Sequence, residues 1–166
     1  IIYTAYQNER VIISGGKEVS NFQPVTDRAV LDRLDPAAHG NVLKADLKAL
    51  GITDYGTLKR RAFGSGGITA AMELFFNDTP MTLARYPNAG ARGTLDGWSL
   101  IAAVPAGANG GKFTYSGDRP NRWSDTSNIW LHGYWSKDWA DSHEQVAAID
   151  TSTKEISTVP PHGVYG

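Results

Sequence analysis

The sequence predicts an all-β fold: a single β-barrel or sandwich-like domain over residues 1–166, with long loops and at most short helices. Short β-branched or aromatic runs recur between turn signals, and long segments of helical period are missing. The 18 Gly and 8 Pro make turns frequent. Short strands with long connections fit a barrel or a sandwich.

Taken in order, residues 1–6 form the first run, and residues 11–14 follow across Gln7-Asn8-Glu9-Arg10. Gly15-Gly16 is a turn, and residues 18–22 read as another strand. The pattern over 26–34 is ambiguous. Residues 35–40 form a turn region with one helical turn, and 41–45 read as a strand. Residues 46–50 suit a short helix capped by Asp46 and stopped by Gly51. The clearest hairpin joins 72–76 to 79–85 through Asn77-Asp78, whose side chains tolerate positive φ, and Pro80 implies an edge or a strand start. A long irregular stretch spans 87–111, with a strand at 98–104 inside it. Residues 113–115 are short, and 129–135 are a strong strand. A second hairpin runs from 145–150 through Thr151-Ser152-Thr153 to 154–159.

Charge narrows the function classes. Sixteen Lys and Arg stand against 17 Asp and Glu, for a net charge of −1. That argues against a nucleic-acid partner and against a polybasic membrane-surface protein. No apolar run approaches the roughly 20 residues of a membrane span. The absence of Cys removes disulfides, thiolate metal sites and thiol nucleophiles. The first residue is Ile1, and no charged segment leads into an apolar one, so the chain reads as a processed product or an excised piece.

The aromatic density of the second half is the most unusual feature. Trp123, Trp130, Tyr134, Trp135 and Trp139 fall within 17 residues. On a strand at 129–135, Trp130, His132 and Tyr134 share one face, and Ile129, Leu131 and Trp135 share the other. The second set reads as core and the first as wetter. A flat indole with its N–H at the rim suits stacking on a pyranose ring, with polar neighbours holding the hydroxyls. Trp98 adds one more such ring. The competing explanation is that these rings pack the core.

Arg and Asp cluster beside aromatics in Arg85-Tyr86-Pro87-Asn88, Asp118-Arg119-Pro120-Asn121-Arg122-Trp123 and Asp138-Trp139-Ala140-Asp141. Guanidinium forks bind carboxylates and sugar hydroxyls. Alternatively they form an internal lattice that pins loops, with Arg85 and Arg119 its first members. Glycoside hydrolysis needs two convergent carboxylates. Asp118, Asp125, Asp138, Asp141 and Glu144 are available, but spacing shows no pair. His39, His132, His143 and His162 have no ligand spacing such as H-x-x-x-H. Gly64-Ser65-Gly66-Gly67 is neither a nucleophile elbow nor a P-loop. Asp138 and Asp141 offer oxygens to Ca2+, but the EF-hand pattern is missing, and no metal or other cofactor is expected.

Several longer strings resemble a known family. The opening IIYTAYQNERVIISGGKEVSNFQPV is similar to a rung of a right-handed parallel β-helix. ELFFNDTPMTLARYPN, GDRPNRW and IWLHGYWSKDWADSHEQVAAIDTSTKEI resemble, in that order, the β-barrel domain inserted into bacterial β-helix proteins related to polysaccharide-degrading glycoside hydrolases of the fucosidase and xylanase type. The resemblance implies a secreted or periplasmic protein, with a polysaccharide ligand and the rest of a β-helix parent as partners. It places no catalytic residue. One rung of about 25 residues cannot stand alone, because solenoid coils bury their faces on neighbours. Residues 1–25 are therefore expected to join the barrel sheet as an edge strand, where an open edge would invite a homodimer.

The leading expectation is a non-catalytic carbohydrate-binding module for plant β-glycans of the glucan or xylan type. Trp98, Trp123, Trp130, Tyr134, Trp135 and Trp139 are the stacking candidates. Arg85, Arg119, Arg122, Asp138 and Asp141 are the polar contacts. Two alternatives are an insert that contributes carboxylates to a hydrolase cleft and a structural insert with no ligand.

Overall fold

A computed structural model describes residues 1–2, 4–63, 72–88, 90, 97–107 and 110–162. The Gly64–Gly67 run and parts of the irregular 87–111 stretch lie outside the described residues. The chain is all-β. It divides into two compact units, Ile1–Thr53 and Asp54–Gly166. No helix among the described residues is long and apolar enough to cross a membrane.

The first unit holds strands β1 (Gln23–Pro24) and β2 (Leu43–Lys44), paired antiparallel with Gln23 opposite Lys44. Val25, which is buried, extends the pairing by donating to the carbonyl of Val42 at 3.1 Å. Between the strands, helix α1 (Arg28–Leu31) starts where Asp27 Oδ1 accepts from the amide of Ala29. Within the ambiguous 26–34 stretch only residues 28–31 are helical, and the Asp27 N-cap is the signal that marks their start. Asp35 caps a 3-10 turn, Pro36–Ala38, in the same way. Asp46 caps one helical turn through the Ala49 amide, and Gly51 ends it at φ +73°, as its sequence predicts.

Residues 1–22 carry no strand among the described positions. The expected strands at 1–6, 11–14 and 18–22 are absent, and none enters the main sheet. Apolar residues form a strand only where a neighbour pairs with their backbone, and among the described residues no strand pairing is formed by these segments. Ile1, Ile2, Ile12 and Ile13 remain exposed.

The second unit contains the hairpin β4 (Phe75–Phe76) and β5 (Thr79–Pro80), with Phe76 opposite Thr79. Asn77 and Asp78 sit at φ 49° and 61°, the two left-handed positions that a tight hairpin needs. The main sheet has five strands: β3 (Arg61–Ala62), β6 (Lys112–Thr114), β7 (Trp130–Tyr134), β8 (Asp141–Asp150) and β9 (Glu155–Thr158). The long strand β8 organises it. Along one edge, β8 accepts from Phe63 at the Asp141 carbonyl and from Val159 at the Gln145 carbonyl. Carbonyls four residues apart on a strand point the same way, so β3 and β9 share this edge. The amide of Val146 points to the opposite edge, where it donates to Ile129 beside β7. β6 pairs with the free side of β9, with Phe113 opposite Ile156. Residues 98–104 contribute isolated bridges, at Trp98 and from Ala103 to Thr114, and not a full strand.

The core follows from alternation along β8. Ser142, Glu144 and Val146 are buried, while Asp141, His143 and Gln145 lie on the opposite face. A bulge between Val146 and Ala148 shifts the phase by one residue. Ile149 therefore also reaches the cluster of Tyr115, Val146 and Ile156. Ile129 and Leu131 pack on that cluster, as the sequence predicts for this face of β7. A Cβ at Gly133 would lie 3.3 Å from the Trp135 ring, close enough that the ring would have to shift by a few tenths of an ångström.

Candidate functional site

The outward face of β7 and β8 collects the most reactive side chains. His132 and His143 stand directly opposite each other in the antiparallel register. Their rings stack at 4.2 Å with planes 13° apart. Asp141 precedes His143 by two residues and so shares its face. The Nε2–H of His132 donates to Oδ2 of Asp141 at 2.9 Å. Arg61, paired with His143 from β3, brings Nη2 to 3.7 Å from the same oxygen.

These contacts set the electrostatics. The hydrogen bond from His132 holds the Asp141 carboxyl below the usual carboxylate range, against the opposing effect of its own burial. The charges of His132 and Arg61 add to the lowering. Burial pushes His143 below the usual imidazole range, and the same two neighbouring charges push it further. Its Nδ1 is shut off from solvent and has no hydrogen-bond partner.

An aromatic border adjoins this group. The Trp98 ring lies 5.3 Å from His132 and 5.6 Å from Tyr134, tilted by 56° and 58°. Tyr134 is 50% exposed, and Trp98 is partly buried. The Arg85 guanidinium lies over the Trp98 ring, its carbon 6.0 Å from the centroid.

Of the remaining predicted residues, Trp130 shares this face of β7, two positions from His132; the others lie elsewhere. Arg85 donates to the backbone carbonyls of Pro87 at 2.9 Å and Gly97 at 2.7 Å, so it pins two loop segments, which is the lattice role. Arg119 lies over the Tyr86 ring at 5.4 Å, and Tyr86 meets Trp123 edge-on at 6.1 Å. Trp139 is 53% exposed and packs edge-on against Phe63. Trp130 is partly buried and donates to Asn128. Trp135 is partly buried and tilts against Phe113. Arg122 and Asp138 are exposed.

On the inward face, Trp135 Nε1–H donates to Ser142 Oγ, and Ser142 donates to Glu144 Oε1, each at 2.7 Å. Arg60 Nε–H donates to the other oxygen of Glu144 at 2.9 Å. Both oxygens of the buried Glu144 are thus engaged, and it acts as an anchor. A cleft of about 260 Å³ borders it, lined in part by Val104, Phe113, Trp135, Thr158 and His162. Asp141 and Glu144 lie on opposite faces of β8, so this pair does not converge as a hydrolytic pair requires.

Sequence reasoning placed His132 and Tyr134 on one wet face but did not select His132, His143 or Arg61 as site residues. The available signal was Asp141-Ser142-His143, a same-face spacing on a strand; His132 joins only through strand register. Neither a known protein family, nor a curated protein, nor a solved structure matches the chain.

Proposed function

We propose that the chain is a non-catalytic polysaccharide-binding region, and that Trp98 and Tyr134 form its stacking surface. One observation carries the reading: a half-exposed Tyr134 stands 5.6 Å from Trp98, beside the polar His132, Asp141 and Arg61. Apolar ring faces supply contact with the C–H face of a sugar, and the polar border supplies hydrogen bonds to its hydroxyls. The resemblance to the barrel inserted in β-helix polysaccharide-degrading proteins supports a plant β-glycan ligand and a secreted or periplasmic parent. A shallow surface must be desolvated before it binds, so affinity lies in the micromolar to millimolar range.

Affinity gel electrophoresis through glucan, xylan, mannan and pectin tests the reading. Retardation by at least one glycan is expected. Tyr134→Ala and Trp98→Ala should each weaken it by about tenfold, equivalent to about 1.4 kcal/mol. Unchanged mobility on every glycan overturns the reading, as does retardation that both substitutions leave intact.

A further inference from the structure

We propose that His132, Asp141 and His143 bind one divalent first-row transition ion of the Zn2+ class. One donor atom from each residue lies within 4.8 Å of the other two. The three residues project from paired strands of a continuous sheet, with His132 opposite His143 and Asp141 opposite Tyr134. The backbone hydrogen bonds of the ladder fix the spacing before any ion arrives, which lowers the cost of assembling the site.

The donor set selects the ion. Two imidazoles and one carboxylate suit Zn2+, Co2+ or Ni2+. Ca2+ and Mg2+ favour all-oxygen shells, which this face does not offer. Three protein ligands leave a coordination position open for water or a further ligand. The shielded, unpartnered Nδ1 of His143 is a second observation, because buried polar atoms are ordinarily partnered and one that is not calls for an explanation.

Binding asks for small movements. At bond lengths of about 2.0–2.2 Å, tetrahedral ligand atoms sit roughly 3.3 Å apart. The 2.9 Å pair of His132 and Asp141 must open slightly while His143 turns inward. The ion takes the place of the proton between Nε2 and Oδ2. That proton shifts to Nδ1 of His132 or leaves to solvent. Arg61 opposes the ion, since its guanidinium already contacts Asp141; its side chain is 49% exposed and can swing to water.

Titration of the untagged full chain with Co2+, read by visible ligand-field bands and by Zn2+ competition, tests the site. Stoichiometric bands are expected, displaced by Zn2+ and unaffected by excess Ca2+ or Mg2+. His132→Gln, Asp141→Asn and His143→Gln should each weaken binding by about tenfold or more. Arg61→Ala should tighten it, by up to about tenfold. The double variant His39→Gln/His162→Gln should bind as the parent does. Far-UV circular dichroism checks each fold; if His143→Gln unfolds, the exposed His132 and Asp141→Asn decide. Absence of bands at millimolar Co2+ overturns the proposal. So do bands that survive His132→Gln and Asp141→Asn, or bands lost in the His39/His162 variant. No glycan enters the experiment, so its outcome is independent of the polysaccharide reading.

Discussion

At the scale of single residues, Glu144 shows how burial assigns a role that residue type alone leaves open. It is one of five acids in the second half that spacing permits as catalytic, yet its side chain is 5% exposed and paired with Arg60 at 32%. Glu144→Gln keeps the shape and removes the charge, leaving Arg60 short of a charged acceptor. The expected cost is about 1–3 kcal/mol, seen as a Tm lowered by several degrees in thermal unfolding. Asp150 carries a second prediction. Its carboxylate accepts from the Ser152 hydroxyl and from the Ser152 and Thr153 amides, which lower its pKa from 3.8 to about 2. A depressed folded pKa stabilises the fold above the unfolded value and loses that contribution as pH falls. The contribution is thus full above about pH 5 and fades from there toward pH 2. Carboxyl NMR should give a midpoint near 2. Asp150→Asn should unfold with a flatter acid dependence through that window.

At the scale of elements, turn chemistry is what makes the strands predictable. The Asn77-Asp78 hairpin and the Thr151-Ser152-Thr153 turn were both legible because their side chains signal the backbone conformation, although the second turn runs on to Lys154, which the sequence pattern assigns to the strand. Lys154, the last residue of the second turn, stands at φ 55° and its carbonyl accepts from the buried Tyr115. A β-branched residue resists that conformation, so Lys154→Ile should destabilise the β8–β9 hairpin by about 1–2 kcal/mol. Lys154→Gly should be far milder, and chemical denaturation of the two variants side by side makes the comparison. Element ends were harder to read. The 72–76 and 79–85 runs shrink to two-residue strands, because further pairing requires a partner edge that local pattern does not specify. The bulge after Val146 was likewise invisible, since a one-residue phase shift leaves no mark in an apolar Val-Ala-Ala-Ile run.

At the scale of the whole molecule, the main sheet, its core cluster and the His132 group all belong to residues 54–166. A fragment of those residues should therefore keep the near-UV circular dichroism of its Trp side chains. Loss of that signal would show that residues 1–53 are required to form the sheet. Few apolar side chains are buried among the described residues: Val25 in the first unit, and Tyr115, Ala140, Val146 and Ile156 in the second, whereas Phe75, Phe76 and Leu83 stay exposed. Strands of two residues offer little area for burial, so hydrophobic content alone overstates how much of this chain is interior.

Alternation and turn residues were enough to read the all-β class, the two hairpins, the inward and outward faces of β7, and the loop-pinning option for Arg85. Each rests on neighbours within a few positions along the chain. Which histidine meets which carboxylate was settled by register: a slip of one residue between β7 and β8 would turn His132 to the other face and dissolve the group. That register depends on long-range packing of Ile129, Leu131 and Val146, and long-range packing has no local signature.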